Sequence, residues 1–129
     1  MKRYRHKLIL LIDDSYIDNL INRKILENSD YAEKIVVKDT PQKAVDYLLE
    51  SIANAEVPEV IFLDLRMPEM NGFEFLMNLN NIEGLEEAGT KIYVLSSSLD
   101  PKDFQRIKEN KLVSKFIGKP LTSQVLADI

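Results

Sequence analysis

Five short runs of branched and aromatic residues, at 8–12, 34–39, 60–63, 91–95 and 113–117, alternate with longer amphipathic stretches. Each run has the length of a buried strand, and each intervening stretch can hold a helix. Alternation of this kind restricts the chain to an α/β architecture with a parallel sheet, because right-handed crossovers place helices on both faces. With 129 residues, 45% of them hydrophobic, the chain reads as one domain over 1–129 that buries its own core.

The helices are marked by their ends as well as by their periodicity. After the first run stops at Asp13-Asp14, Ser15 or Asp14 can cap a helix in which Ile17, Leu20, Ile21 and Ile25 recur at helical spacing. Thr40-Pro41 is a cap followed by a proline at the first helical position, and Ala44, Val45, Leu48, Leu49 and Ile52 are expected to form the inner face of a second helix. The run at 60–63 ends at Asp64, followed by turn chemistry in Met67-Pro68 and Asn71-Gly72. Phe73, Phe75, Leu76 and Leu79 predict a third helix that loses definition across Asn80-Asn81 and the glycines Gly84 and Gly89. Asp100-Pro101 repeats the cap and proline, predicting a fourth helix to about residue 110 with Phe104 and Ile107 inward, and the segment 121–129 closes the chain. The basic residues within 1–6 are expected to form a solvated tail.

Five strands suit the flavodoxin-like, doubly wound order 2-1-3-4-5, whose crevice lies at the carboxyl ends of strands 1 and 3. In that order Asp13 and Asp14, Asp64, Ser96 and Lys119 stand at the ends of strands 1, 3, 4 and 5, so groups distant in sequence share one edge of the sheet. Any one of them is ordinary: an Asp pair caps helices, a serine run makes turns, and a lysine before proline reaches water. Together at a switch point they form a candidate site.

Composition narrows its chemistry. With no cysteine and a single histidine, His6, neither a thiolate nor a multi-histidine metal centre can be built. Three carboxylates in one crevice repel and call for a cation, and oxygen donors favour Mg²⁺, which leaves positions for phosphate oxygens. A divalent ion, an ammonium and a hydroxyl around one aspartate suit a transferring phosphoryl group, and the carboxylate is a suitable nucleophile for an acyl phosphate. A net charge of −4 argues against nucleic-acid binding through the domain's own field. The opening apolar run is too short for a signal peptide or a membrane span, which makes a cytoplasmic location the default.

The paired acids Asp13-Asp14, the Asp64-x-x-Met67-Pro68 segment with Gly72, and the Lys119-Pro120 dipeptide resemble the receiver domain of bacterial two-component response regulators over essentially the whole chain. The resemblance implies that Asp64 accepts a phosphoryl group from a sensor histidine kinase or a histidine phosphotransfer protein. It implies Mg²⁺ held by Asp13, Asp14, Asp64 and the backbone carbonyl of Arg66, with Asp14 a direct ligand and Asp13 acting chiefly through water. Ser96 would be the switch hydroxyl and Lys119 the phosphate-binding lysine, followed by a proline that is typically cis in the family. Where the family often has a switch tyrosine this chain has Phe116, which lacks the hydroxyl; a switch role and ordinary strand packing both remain open for it. The output surface is expected over 101–110, 113–117 and the last segment, toward an unknown downstream protein or output domain.

Two readings of other classes stand beside this one. A Mg²⁺-dependent aspartyl phosphohydrolase would need a second acid or base close to Asp64, where the chain has Arg66 two residues on. A phosphorylation-independent interaction module would not require these charges. A receiver assists its own phosphorylation without acting as a general catalyst, so it is not classed as an enzyme. A stand-alone receiver and one excised from a longer regulator are both compatible with the sequence.

Overall fold

In the computed structural model, β1 (His6–Ile12), β2 (Ala32–Lys38), β3 (Val60–Asp64), β6 (Lys91–Ser96) and β7 (Val113–Gly118) form one parallel sheet in the order β2-β1-β3-β6-β7. This is the expected 2-1-3-4-5 winding, because β4 (Arg66–Met67) and β5 (Met70–Asn71) make a separate antiparallel ribbon. Five helices are described, α1 (Tyr16–Asn28), α2 (Pro41–Ala53), α3 (Gly72–Asn80), α4 (Leu85–Ala88) and α5 (Ser123–Asp128). The structure describes residues 3–64, 66–67, 70–96, 105, 108–110, 112–118 and 121–129, with backbone alone at 66–67 and 70–73. The predicted fourth helix at 101–110 lies mostly outside these, with Phe104 and Ile107; Gln105 and Lys108 within it are helical.

Alternation along the strands divides the core between the two faces of the sheet. Leu10, Ile12, Ile61, Leu63, Ile92 and Val94 point to one face, where Ala44 and Leu48 of α2 and Phe75, Leu76 and Leu79 of α3 cover them. Ile9, Leu11, Val60, Phe62, Tyr93, Leu95 and Ile117 point to the other, under Leu26 of α1 and Leu126 of α5. On this second face the rings of Tyr31, Phe62 and Tyr93 follow one another at 5.9 and 5.5 Å between centroids. Helices on both faces leave the carboxyl edge of the strands open, and that edge carries the candidate site.

Four local details differ from the sequence reading. In α1 the period is helical, but Ile17, Leu20 and Ile21 face solvent and the helix buries Asn19, Asn22 and Leu26. In α2, Ala44 and Leu48 are buried and Leu49 is exposed, so the inner face is narrower than the apolar pattern. The glycines after α3 bracket α4: Gly84 and Gly89 have φ of 103° and 76°, a region that favours glycine. The basic start is not wholly a solvated tail, since His6 opens β1 and Arg5 lies 5.0 Å from the centroid of the Tyr31 ring. Arg5 also donates to the carbonyls of Leu126 and Ile129, at the negative end of α5.

At the opposite edge of the sheet from the candidate site, His6 Nδ1 is 2.9 Å from Glu59 Oε1 and Lys7 N–H donates to Glu59 Oε2 at 3.0 Å. Burial pushes this carboxyl up, but the hydrogen bonds from His6 and Lys7, with their positive charges, outweigh it and hold Glu59 below the usual carboxylate range. A depressed folded-state value stabilises the fold above the unfolded value and loses that contribution as pH falls through the folded one. Urea midpoints of wild type and Glu59→Gln should therefore differ at pH 6 and converge in acid below about pH 4. The difference should be small, because the carboxylate is largely exposed and solvent screens it. A gap that widened in acid would refute the assignment.

Candidate functional site

The site is built at the ends of β1 and β3, neighbours in the sheet whose register pairs Ile12 with Leu63. The next residue on each strand is an aspartate, so Asp13 and Asp64 emerge side by side. Both are buried, at 2% and 6% exposure, while Asp14 is exposed. One carboxylate oxygen from each of Asp13, Asp14 and Asp64 lies within 4.8 Å of the others. Two unit charges at that separation repel by about 3 kcal/mol at an effective dielectric near 20. Solvent screens the part that involves Asp14, whereas the Asp13–Asp64 pair keeps more of it.

The loop that carries the acids is tied at several points. Ser15 N–H donates to Asp13 Oδ1 at 2.9 Å, and Ser15 Oγ accepts from Asp18 N–H at 3.2 Å as the cap of α1. Of the two candidate caps it is Ser15 that serves. Asn19, one turn into α1, donates from Nδ2 to the backbone carbonyl of Asp13 at 2.7 Å, and Asp13 N–H donates to Lys38 O at 3.3 Å. Sequence reading did not single out Asn19. Its signal was the i, i+3 pair Asn19 and Asn22 on a helix that otherwise offers aliphatic residues to bury.

Ser96 ends β6 and is buried; its partner across the sheet is Gly118, and Asp64 pairs with Leu95 one residue earlier. The hydroxyl is thus carried to the same edge as the acids. Lys119 follows Gly118 in the chain and, with Pro120, lies outside the described residues. Arg66 opens β4, two residues after Asp64, and its backbone pairs with Asn71. Phe116 pairs with Val94 and is partly buried against the core face of α2 and α3.

The donor set fits a hard divalent cation. All three side chains offer oxygen, and a buried pair with like charge is stabilised by a positive ion. Asp13, Asp14 and Asp64 are the residues placed to hold it. Beside them a groove runs between α1 and the end of β2, lined by Asp14, Tyr16, Asn19, Leu20 and Lys38 among others. Among the described residues no helix is long and apolar enough to cross a membrane.

Comparison with known proteins places this geometry. Residues 9–129 match the family model described as "Response regulator receiver domain". A crystal structure of a two component response regulator from Cytophaga hutchinsonii superposes with a TM-score of 0.89 at 30% identity, covering 98% of this chain and 94% of that one. A response regulator receiver protein from Dyadobacter fermentans gives 0.82 at 28% identity, over 95% and 93%. The two-component response regulator ORR1 of rice (Oryza sativa subsp. japonica) is 29% identical over 119 residues, 90% of this chain, which spans 50% of that relative's length. The buried acid pair at the switch point of a 2-1-3-4-5 sheet therefore lies in a chain that belongs to the response regulator receiver domain family of two-component signalling.

Proposed function

We propose that this receiver accepts a phosphoryl group on Asp64 in a Mg²⁺-dependent reaction. The observation that carries the reading is the meeting of Asp13, Asp14 and Asp64 within 4.8 Å at the ends of adjacent strands. An oxygen of the Asp64 carboxylate attacks phosphorus of a phosphohistidine. The O–P bond forms as the P–N bond breaks, and the imidazole leaves with its electron pair to be protonated from solvent. Asp13, Asp14, Asp64 and the Arg66 carbonyl would hold Mg²⁺, which supplies charge neutralisation for the phosphoryl oxygens when bound. Ser96 would donate its hydroxyl to one phosphoryl oxygen and Lys119 its ammonium to another. Movement of Ser96 toward the new charge would bias β6 and β7 toward a second packing, with Phe116 as a packing follower that cannot add a hydrogen bond of its own.

The phosphodonor would be a sensor histidine kinase or a histidine phosphotransfer protein. Tyr16, Ile17, Leu20 and Ile21, exposed beside Asp14, offer it an apolar landing surface. The readout would pass through 101–110, β7 and the last segment to a downstream protein or output domain, with neither nucleic acid nor membrane contacted directly and the protein in the cytoplasm. No turnover of foreign substrates is needed, so the domain is a signalling device and not an enzyme. Incubation with a small phosphodonor such as acetyl phosphate should label wild type in Mg²⁺ and leave it unlabelled in EDTA. Absence of label in Mg²⁺ would end this reading and favour a phosphorylation-independent interaction module, whereas sustained turnover of small phosphate esters would favour a hydrolase.

A further inference from the structure

We infer that Asn19 is a positioning residue for the acid loop, fixing Asp13 and Asp14 in the geometry a divalent cation requires. The inference rests on the reading of the acid cluster as a Mg²⁺ site and extends it to a residue outside the cluster. Its starting point is the rotation of α1. A helix offering Ile17, Leu20 and Ile21 would be expected to bury them, yet it turns them to solvent and buries Asn19 and Asn22. Burying an amide in place of an aliphatic chain is unfavourable unless its hydrogen bonds are made. Among the described residues Asn19 makes one of them only, since Nδ2 donates to the Asp13 carbonyl at 2.7 Å while the buried Oδ1 finds no partner there. A residue selected to fill space would not leave an acceptor unsatisfied, so it is the donor that accounts for asparagine at this position.

That donor acts where the chain must resist its own charges. Asp13 is held on its amide side by Lys38 O, on its carboxylate by Ser15 N–H and on its carbonyl by Asn19. Asn19 N–H in turn donates to Ser15 O at 3.0 Å, closing the loop onto the first turn of α1. Without the Asn19 bond the carbonyl of Asp13 loses its side-chain tie to α1, and repulsion among the acids favours their spreading. Mg²⁺ demands near-ideal octahedral ligands, so such spreading costs affinity even when every ligand remains present. Residues that orient metal ligands in this way typically change affinity by about 10- to 100-fold.

The test compares Mg²⁺ affinity by calorimetry in the whole chain for wild type, Asn19→Ala, Asn19→Leu and Asn22→Ala, with urea stability measured in EDTA. Asn22 is the control, a buried asparagine three residues along the same helix and farther from the loop. Both Asn19 variants should bind Mg²⁺ at least about 10-fold more weakly. Asn22→Ala should keep wild-type affinity whatever it does to stability. In metal-free protein the Ser15 amide, held on Asp13 Oδ1, should exchange its hydrogen faster in the Asn19 variants. Wild-type affinity in Asn19→Leu, which keeps the γ-branched shape of the side chain without its amide, overturns the inference, and so does an equal loss in Asn22→Ala, which would reveal general loosening. Failure of wild type itself to bind Mg²⁺ is a different result and removes the metal-site reading as well.

Discussion

Asp64→Asn should take up no phosphoryl group from a small donor under conditions that label wild type, and in Mg²⁺-free buffer it should be the more stable protein. The first half follows from nucleophilicity: an amide oxygen cannot form the acyl phosphate, and Asp13 and Asp14, although within 4.8 Å, are in the proposed function ligands of the cation and not acceptors. The second half follows from charge. Asp64 and Asp13 are both buried, and their repulsion, about 3 kcal/mol at an effective dielectric near 20, acts in the folded state and is relieved by the neutral isostere. After allowance for relaxation and other partners of Asp64, a gain of about 1–2 kcal/mol in urea unfolding is expected. Added Mg²⁺ should reverse the order. A ligand at 100 times its dissociation constant stabilises the folded state by about 2.7 kcal/mol, and the variant has lost one of the ligands. Label on Asp64→Asn equal to wild type would move the acceptor to another residue, and a metal-free variant less stable than wild type would show that Asp64 is more strongly paired than repelled.

The same residues explain which parts of the molecule could be read from the chain. The sheet was legible because short runs of branched residues alternate with helical stretches and four of the five are closed by a polar residue, a pattern that belongs to buried parallel strands. The meeting of Asp13, Asp14 and Asp64 was legible because strand order converts their position at strand ends into proximity. The ribbon at Arg66–Met67 and Met70–Asn71 was not, since two-residue strands have no period to detect. The rotation of α1 escaped for a different reason. Periodicity identifies a helix, but when aliphatic and amide stripes lie on the same helix, the choice of buried face is made by a tertiary hydrogen bond, in α1 the one from Asn19 to Asp13. Arg5 was read as part of a tail because its partners, Tyr31 and the end of α5, are remote in sequence.

Phe62→Ala should lower stability by about 3–5 kcal/mol, at the upper end of what a single core truncation costs. Phe62 sits at the centre of β3, between β1 and β6, with 1% of its surface exposed. Its ring lies between those of Tyr31 at 5.9 Å and Tyr93 at 5.5 Å, both tilted, so truncation removes two aromatic contacts along with the buried area. Strand neighbours on both sides hold the backbone, and the cavity can collapse only by moving α1 and α5, whose Leu26 and Leu126 pack on the same face. For a domain whose whole stability is of order 5–15 kcal/mol, such a loss is a large fraction, and the melting temperature should fall by roughly 10–20 °C. Leu49→Ala is the matched comparison, because Leu49 belongs to an apolar pattern but is 52% exposed and should cost no more than about 0.5–1 kcal/mol. Equal melting temperatures for the two variants would mean that the packing on the α1 and α5 side of the sheet is not the packing that holds β3, and with it Asp64, in place.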